Sequence, residues 1–385
     1  MINNELLSAI QLAIWDKGHV SVDEHLFEEM KQHAIAALFT PCLSKVKIAP
    51  ELKEKWKHYS IKMVSYNAYG KYEQSRLVLT VPYVILKGTS AAQYYPYPEY
   101  RALGDIDIMT RREDFDVACK QLMNDGYHIN NEIYKEISLT KKNICIDLHR
   151  QFASLNNPDH VKYLDDLIIE NINPTHLLPD LINGLVLLDH INQHLEGGIG
   201  LRQIIDWMLF VDKCLPDEKW PEFYELAKNI GLEKLAVVCT HMCELYLGLP
   251  NRDWSSKADL TLCEELMDYV LECGNFGNKK TKSATNISIN ALTYIRAPKA
   301  WFKLLQQQGL INWTAARKHK TLKPFAWVYQ GIRYALKGLK RDKAFTKIKN
   351  EYIAARKKMA LFDALGVKTA TKGLVVYKDG KYVKE

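Results

Sequence analysis

The sequence predicts an α+β protein, in which a small mixed β-sheet is flanked by N-terminal helices and a larger C-terminal helical domain. The chain has 385 residues, more than one domain usually holds, so two or three domains are expected. Strand-like and helix-like patterns alternate within 76–157, whereas both flanks have helical periodicity. We therefore expect a helical region at 1–75, an α/β core at 76–157, a helical domain at 158–298, and a basic, aromatic-rich helical region with a C-terminal hairpin at 299–385.

The N-terminal region predicts two helices. Ser21 and Glu24 have the spacing of a capping box, which predicts a helix that opens at this box and runs through about Phe39. Pro41 would end that helix. A second stretch, from about residue 51 to 74, has apolar residues at helical spacing.

The α/β core predicts strands on both sides of a helix. The runs 77–88 and 105–109 are strand-like, and a second capping box opens a helix over about 110–125 that stops at an Asp-Gly turn. Two further strand-like pieces follow at 132–139 and 144–149. This order, within about 75 residues, is typical of a small mixed sheet.

Beyond Pro158 the pattern becomes helical again. The last twelve residues predict a hairpin with Asp379 and Gly380 at its turn. Helices packed on helices are the simplest arrangement for this half of the chain. The helical patterns lie near 175–195, 201–214, 220–230, 232–247, 258–273 and 345–362.

Basic residues are concentrated in one segment. The 52 Lys and Arg against 45 Asp and Glu give a net charge of +7. Residues 299–358 hold 16 Lys or Arg and two acids, so this segment carries +14 and the rest of the chain −7. Aromatic residues interleave with the basic ones, which allows three interpretations: a solvated helical surface, an anionic membrane as partner, or a polyanion such as single-stranded nucleic acid.

The cysteines and the hydropathy predict a cytoplasmic protein that is at most peripheral to the membrane. The eight cysteines lie in apolar contexts without a CxxC pair, which is typical of reduced thiols. The N-terminal stretch has no basic leader, and no run of 18 apolar residues occurs. Neither a signal peptide nor a transmembrane segment is therefore predicted.

The motif Gly-Asp-Ile-Asp-Ile at 104–108 is the strongest chemical signal. Strand alternation places Asp105 and Asp107 on one face and Ile106 and Ile108 on the other. Two carboxylates this close repel each other unless a cation lies between them. Solvated acids on an edge strand are the alternative, but the pair suits a hard ion such as Mg²⁺ or Mn²⁺.

A second strand repeats this pattern. In 144–149, Asp147 shares a face with Cys145 and His149, and the apolar residues share the other face. If the two strands pair, three aspartates converge on one cleft. That arrangement is what metal-assisted phosphoryl transfer needs.

The turn Lys87-Gly88-Thr89-Ser90 joins a strand to the start of a helix just before the first aspartate strand. Backbone N–H groups at such a turn favour a phosphate, and glycine lets a ligand approach the backbone. The turn therefore predicts a phosphate-binding element beside the carboxylates.

These segments together resemble the bacterial nucleotidyltransferases of the DNA polymerase beta superfamily, and in particular an uncharacterised branch of that superfamily. The resemblance rests on ILKGTSAAQYYPYPEYRALGDIDIM and CIDLHRQF. It extends into LLDHINQHLEGGIGLRQIIDW and so covers roughly residues 80–212. Two departures are the Gly-Thr-Ser turn in place of Gly-Ser and a long spacer, which suggests that Tyr97 to Leu103 form a loop beside the cleft.

The resemblance implies a metal-dependent enzyme that moves a nucleoside monophosphate from a nucleoside triphosphate, most simply ATP, to a hydroxyl group and releases pyrophosphate. Mg²⁺ or Mn²⁺ would be the cofactor. Asp105, Asp107 and Asp147 would bind the metal and carry the catalysis. The phosphates would be held by Gly88 with Thr89 or Ser90.

Lys87 and Arg101 are the cations that we expect on the triphosphate; charge compensation of the aspartates is the alternative for both. For His149, support of a neighbouring carboxylate is favoured over proton transfer.

Two i, i+4 pairs follow on predicted helices. His190 and His194 point the same way and suggest a hydrogen-bonded pair or, less favoured, a metal site. Arg202 and Asp206 suggest either an ion pair on the helix surface or a pair that supports the cleft. The resemblance favours a place for Arg202 and Asp206 at an acceptor pocket, and His149, His190 and His194 are further candidates for that pocket.

Three functions stay open from the sequence alone. A nucleotidyltransferase acting on a small molecule or saccharide is favoured. A non-catalytic nucleotide-binding scaffold docked to a membrane or polyanion is one alternative, and a nucleotidyltransferase that modifies a protein is another.

Overall fold

The structure is a computed structural model that describes residues 4–275, positions between 302 and 339, and residues 356–367, 375–378 and 380–384. The chain divides into two compact units. The first contains residues 1–279, 364–368 and 373–385, and the second contains 280–363 and 369–372.

A five-stranded mixed sheet forms the centre of the first unit. The strand order is β1-β2-β5-β4-β3, with β2 and β5 parallel and every other pair antiparallel. The chain is therefore α+β with a small mixed sheet, as predicted. The strands are β1 (Tyr83–Leu86), β2 (Ile106–Thr110), β3 (His128–Glu132), β4 (Glu136–Lys141) and β5 (Ile144–His149).

The two faces of this sheet differ in polarity. Ile106 and Ile108 of β2 pack with Ile146 and Leu148 of β5 on one face, beneath helix α5. The other face carries the polar residues of the same strands, and Asp107 stands opposite Asp147 in the parallel register. The predicted pairing of the two aspartate strands is thereby confirmed.

Within residues 4–275, which the structure describes, eleven α-helices accompany this sheet along the chain. α1 to α3 precede the sheet, α4 and α5 lie between its strands, and α6 to α11 follow it. The helices are α1 (Asn4–Trp15), α2 (Glu24–Gln32), α3 (Pro50–Ser75), α4 (Gly88–Ala92), α5 (Phe115–Asn124), α6 (Pro158–Glu170), α7 (Asp180–Leu195), α8 (Leu201–Cys214), α9 (Trp220–Asn229), α10 (Glu233–Leu247) and α11 (Leu260–Cys273).

The N-terminal helix prediction is partly wrong. Helix α2 ends at Gln32, and a 3₁₀ helix (Ala36–Ser44) that contains Pro41 follows it. The cap is Asp23, whose Oδ1 accepts a hydrogen bond from the backbone N of Leu26 at 2.8 Å. The predicted capping residue Ser21 instead donates its backbone N–H to Glu5. Helix α3 confirms the predicted second helix.

Three details of the core differ from the sequence prediction. The strand predicted over 77–88 is ordered only in β1, and strand β3 was not predicted. Helix α5 begins at Phe115, after a 3₁₀ turn (Arg112–Asp114), because the Thr110 hydroxyl donates to the carbonyl of Arg111 and does not cap the helix.

The helical region after the sheet follows the predicted segments, except that α6 was not predicted and α7 begins at Asp180. Helices α7 and α8 approach closely at Gly184, where an added Cβ would lie 2.2 Å from Cζ of Phe210. Only glycine allows this contact.

The predicted C-terminal hairpin is present and packs against the core of the first unit. Its strands are β6 (Val375–Lys378) and β7 (Lys381–Lys384). The Tyr382 hydroxyl donates to Asp165 at 2.6 Å, and Gln151 donates to the carbonyl of Val375 at 3.0 Å.

In the second unit the structure describes helix α12 (Ala326–Leu339). Of the helix predicted over 345–362, residues 345–355 lie outside the described residues, and 356–362 are helical. All eight cysteines are free thiols, as predicted. No helix within the described ranges is long and apolar enough to cross a membrane.

Candidate active site

The Lys87-Gly88 turn delivers the end of β1 into the polar face of the sheet. Both residues have positive φ, +50° for Lys87 and +38° for Gly88, a conformation that costs a non-glycine residue about 1–3 kcal/mol and occurs often at functional sites. The turn is fixed by Ser90, whose backbone N and Oγ both donate to the Lys87 carbonyl at 2.7 Å. The Thr89 hydroxyl donates to Gln74 of α3 at 2.8 Å.

Asp107 is buried between two basic side chains. Its Oδ1 lies 2.7 Å from Nζ of Lys87 and 2.9 Å from Nε2 of His149. Burial by itself would raise the pKa of Asp107, but Lys87 and His149 hold that pKa well below its usual range. Asp107 is therefore an ionised carboxylate that the chain itself neutralises.

Glu136 extends this set of charges and was not predicted from the sequence. Its Oε2 lies 3.1 Å from Nδ1 of His149, because the two residues are opposite each other in the β4–β5 register. Burial opposes ionisation, yet His149 and Lys135 lower the pKa of Glu136 to about 2. Burial also disfavours the His149 cation, but Asp107 and Glu136 raise its pKa above the ordinary value.

A second group of acids lies at the open side of the same face. Among the described residues, Asp105, Cys145 and Asp147 each offer one ligand atom, and these atoms lie within 4.8 Å of one another. Burial and the neighbouring carboxylates raise the pKa of Asp105 and of Asp147, although Ser138 lowers the latter in part. Like charges without a cation between them have this signature.

Asp107 is not a member of this second group among the described residues. Its Oδ1 is instead in contact with Lys87 and His149. Its role as a metal ligand stays a prediction. We call Asp105, Cys145 and Asp147 the open acidic group, and Lys87, Asp107, His149 and Glu136 the buried charge network.

Helix α3 forms a wall opposite the open acidic group and was missed as part of the site. Tyr66, Gly70 and Gln74 line a cleft together with the Gly88 turn and Asp105. The spacing of four residues places these three on one face of the helix. That spacing, beside a predicted phosphate turn, is the signal that could have found them.

The loop before β2 is held by two buried groups. Asn67 of α3 donates to the carbonyls of Glu99 and Arg101, each at 2.8 Å. The Arg101 guanidinium binds both carboxylate oxygens of Asp206, with Nε 2.9 Å from Oδ1. Arg101 is only 2 % exposed, and its guanidinium already has a carboxylate partner. Its predicted contact with a triphosphate stays a prediction. The predicted Arg202 and Asp206 are both buried in α8, and Arg202 donates to the carbonyl of Ala102 at 3.1 Å.

His190 and His194 lie on α7 with their ring centroids 4.6 Å apart. Burial is the main reason why the pKa of both imidazoles is lowered, to about 4 for His194. Lys87 and Arg202 lower both pKa values further.

With this geometry established, the sequence can be compared with known families. The sequence profile of a family described as uncharacterised nucleotidyltransferase matches residues 22–248, which is more than half of the chain. The chain belongs to this nucleotidyltransferase family. No curated protein and no solved structure matches it.

The region that matches the nucleotidyltransferase family contains every site residue described above. It begins before α2 and ends after α10, so it includes the α3 wall, the sheet and the α7–α8 pair. The basic segment 299–358 and the C-terminal hairpin lie outside it. Family membership therefore concerns the cleft and its walls.

The open acidic group fits a divalent cation. Two carboxylates with raised pKa values converge there, and a bound cation would remove their mutual repulsion. Their oxygens are donors that suit Mg²⁺ or Mn²⁺, whereas the Cys145 thiol suits softer ions.

Proposed function

We propose that this protein is a Mg²⁺- or Mn²⁺-dependent enzyme that transfers a nucleoside monophosphate from a nucleoside triphosphate, preferentially ATP, to a hydroxyl group of a small molecule or saccharide. Pyrophosphate is the second product. The observation that carries the proposal is the open acidic group, with its raised carboxylate pKa values, next to the Gly88 turn in a chain of a nucleotidyltransferase family.

In this proposal the open acidic group holds the metal ion through Asp105 and Asp147. A bound divalent ion would act as a Lewis acid toward the phosphate oxygens. Asp107 is kept ionised by Lys87 and His149. It can contact the metal or the substrate only if its carboxylate binds that ligand and Lys87 at the same time. The Gly88 turn and Thr89 receive the phosphates, and Ser90 keeps the turn in shape.

One bond forms and one bond breaks in the proposed transfer. The acceptor oxygen forms a bond to the α-phosphorus, and the bond between that phosphorus and the oxygen bridging to the β-phosphate breaks. The leaving pyrophosphate takes the electron pair of the broken bond. The hydroxyl proton leaves to the surrounding water. As a ligand of the metal, Asp147 would help to lower the pKa of that hydroxyl.

The elements around the cleft have different roles in this proposal. Tyr66, Gly70 and Gln74 line the side where the nucleotide enters, and Gln74 also holds Thr89. Arg101 acts through the loop before β2, because its guanidinium is bound to Asp206. In this proposal the acceptor lies against α7 and α8, on the side of the predicted pocket residues His190, His194 and Arg202.

The test is nucleotide binding and turnover with labelled ATP, Mg²⁺ and a panel of hydroxyl acceptors. Asp105→Asn and Asp147→Asn should lower Mg²⁺-dependent turnover by about a thousandfold or more, since a catalytic metal contributes several kcal/mol. Asp116→Asn is the matched control, because Asp116 is an exposed acid of α5, which packs on the apolar face of the sheet. If both variants bind ATP and Mg²⁺ as the wild type does, the site assignment is wrong.

Other outcomes of this test separate the alternatives. Tight Mg²⁺-dependent binding of ATP without turnover on any acceptor would favour a non-catalytic scaffold. Label transferred to a protein substrate would favour the protein-modifying enzyme.

We further propose that the basic segment 299–358 docks a cytoplasmic protein onto an anionic membrane surface. Phe325, Trp327 and Ile332 of the second unit are 57, 38 and 56 % exposed, and the segment around them carries +14. Apolar side chains in a basic segment suit a membrane interface.

Sedimentation with vesicles tests the docking. A Phe325→Ser, Trp327→Ser variant should bind vesicles of phosphatidylglycerol severalfold more weakly than the wild type. Val78→Ser, at an exposed valine of the first unit, should bind normally. Equal binding of all three proteins contradicts the docking, and preference for single-stranded DNA over vesicles would favour the polyanion.

A further inference from the structure

Helix α3 contains a glycine that packing does not explain. Gly70 lies well inside the helix, where glycine is less stable than alanine because its backbone has more freedom to lose. Apart from its chain neighbours and the backbone of its own helix, the one described atom within 4 Å of a Cβ added at Gly70 would be Cδ1 of Ile144, at 4.0 Å. At Gly184 of α7, by contrast, an added Cβ would clash with Phe210. The fold would accept alanine at position 70, so the reason for glycine has to lie elsewhere.

Gly70 lines the cleft of the candidate active site, between two other residues of the same face of α3. Tyr66 precedes it by four residues and Gln74 follows it by four, so successive members of this row are about 6 Å apart along the helix axis. The Gln74 end of the row is fixed at the Gly88 turn, because the Thr89 hydroxyl donates to Gln74 at 2.8 Å. The row therefore starts at the predicted phosphate-binding turn and continues along the cleft.

The cleft joins this turn to the first aspartate of the open acidic group. A Cβ added at Gly88 would lie 3.8 Å from the carbonyl oxygen of Asp105, and both residues line the cleft together with Gly70. A ligand in the cleft would have the backbone of the turn, a carboxylate and α3 around it. A chain of phosphates with its divalent ion suits these surroundings, because phosphates bind backbone N–H groups and the ion binds carboxylates.

Tyr66 adds a hydroxyl group to the same cleft. The residue is partly buried, and its hydroxyl makes no hydrogen bond with any residue that the structure describes. Burial and the nearby Asp105 raise the pKa of Tyr66 above its ordinary value, so the hydroxyl is protonated at neutral pH and can donate to an anion. Tyr69, three residues further along α3, packs instead against the apolar core of the sheet. Of these two tyrosines, only Tyr66 lines the cleft.

We propose that Tyr66 and Gly70 form a surface, here called the triphosphate wall, in which the Tyr66 hydroxyl donates to a phosphate oxygen and Gly70 leaves room for the phosphate chain. The inference rests on the proposed function and deepens it, because it assigns residues of α3 to the recognition of the triphosphate. All nucleoside triphosphates share this group. The triphosphate wall therefore contributes to affinity without selecting the base.

The first test is calorimetric titration of the full-length protein with inorganic tripolyphosphate in the presence of Mg²⁺, so that no nucleoside takes part. Tyr66→Phe should raise the dissociation constant of tripolyphosphate by about tenfold, because a hydrogen bond to a charged group is lost. Tyr69→Phe is the matched control, since it removes a hydroxyl from the same helix outside the cleft. This control should bind tripolyphosphate as the wild type does.

The second test measures stability and binding together. Gly70→Ala should raise the midpoint of thermal unfolding, because alanine favours the helix. The same variant should raise the dissociation constant of tripolyphosphate by about tenfold or more, because its methyl group takes up space in the cleft. Gly331→Ala is the matched control, since Gly331 lies in α12, where an added Cβ has no described neighbour within 4 Å. It should raise the midpoint without changing binding, whereas a purely structural role for Gly70 would not combine higher stability with weaker binding.

Three outcomes overturn the triphosphate wall. The first is equal tripolyphosphate affinity in the wild type, Tyr66→Phe and Gly70→Ala. The second is a loss of affinity for ATP but not for tripolyphosphate, which would place the nucleoside on this surface. The third is turnover of ATP by a wild type that does not bind tripolyphosphate, which would leave the proposed function intact. Conversely, the expected losses of tripolyphosphate affinity in a protein that transfers no nucleotide to any acceptor would support the triphosphate wall and contradict the proposed function.

Discussion

The open acidic group and the buried charge network occupy the same face of one sheet, yet they are in opposite electrostatic states. Asp107 and Asp147 are direct partners in the β2–β5 register. The pKa of Asp107 is far below its usual range because Lys87 and His149 bind it, whereas burial and neighbouring acids raise the pKa of Asp147. One region carries its own counter-charges, whereas no ion pair among the described residues neutralises Asp105 or Asp147.

The difference shows how a fold can keep a candidate metal site free of ion pairs with side-chain cations while neutralising the carboxylate beside it. Lys87 reaches Asp107 from the end of β1, and Glu136 orients His149 from β4. The same elements do not reach Asp105, which lies just before β2 at the exposed edge. We therefore expect the network to contribute stability and the open group to contribute function at some cost in stability.

The largest expected effect comes from breaking the network. Lys87→Met should lower the free energy of unfolding by about 3–5 kcal/mol, because it removes the lysine cation of the buried Asp107 carboxylate and leaves His149 as its remaining basic partner. Asp105→Asn, in protein freed of metal, should leave that free energy unchanged or raise it slightly, because it relieves repulsion between acids. Urea denaturation measures both.

Two further variants control this comparison. Lys120→Met removes an exposed lysine of α5 and should change stability by less than about 0.5 kcal/mol. The double variant Lys87→Met, Asp107→Asn should recover part of the stability that Lys87→Met loses, since residue 107 then has no negative charge to neutralise. If Asp105→Asn destabilises the metal-free protein as much as Lys87→Met does, the two regions do not differ as we describe.

A smaller effect should appear in the pH dependence of Mg²⁺ binding. Asp105 and Asp147 have raised pKa values, so protons compete with the metal in mildly acidic solution. At a hundredfold excess over its dissociation constant near neutral pH, Mg²⁺ should stabilise the protein by about 2.7 kcal/mol. This stabilisation should fall as the pH decreases through the raised pKa values.

The sign in the metal-free protein is the reverse. For an acid whose folded pKa is raised, the folded state binds more protons than the unfolded state between the two pKa values, so this contribution to stability increases as the pH falls. Asp107, with a lowered pKa, contributes stability that is lost only at strongly acidic pH. Thermal unfolding with and without MgCl₂ across the pH range measures these trends, and a pH-independent effect of Mg²⁺ would place the metal elsewhere.

The sequence predicted the acidic residues of this comparison but not their difference. Strand alternation is a local property, so it places Asp105, Asp107 and Asp147 on one face, and the pairing of β2 with β5 brings them together. Whether a given acid meets a cation depends on tertiary contacts. Lys87 reaches Asp107 from twenty residues away in the chain, and Arg101 binds Asp206 from more than a hundred residues away.

The errors in the predicted fold also arise from contacts that the sequence pattern does not contain. The capping boxes at Ser21 and Thr110 fit the spacing rule, but Asp23 is the better acceptor in the first case, and the Thr110 hydroxyl bonds to its neighbour in the second. The role of Glu136 depends on the β4–β5 register, which the sequence alone leaves open. Periodicity fixes the faces of elements, whereas caps and registers depend on competition between nearby groups.

The smallest expected effect concerns Cys145, and it decides whether this thiol acts as a member of the open acidic group. Burial and the adjacent Asp105 and Asp147 raise the pKa of Cys145 to about 12, so the thiol is protonated at neutral pH. A hard ion gains little from a neutral sulfur atom, whereas a soft ion can displace the proton and bind the thiolate.

Cys145→Ser should therefore change the Mg²⁺ dissociation constant by less than about threefold and raise that of Cd²⁺ by about tenfold or more. Calorimetric titration with each ion measures both constants, with Cys119→Ser, on α5, as the matched control. A large loss of Mg²⁺ affinity in Cys145→Ser would mean that the sulfur atom, and not the carboxylates alone, shapes the metal site.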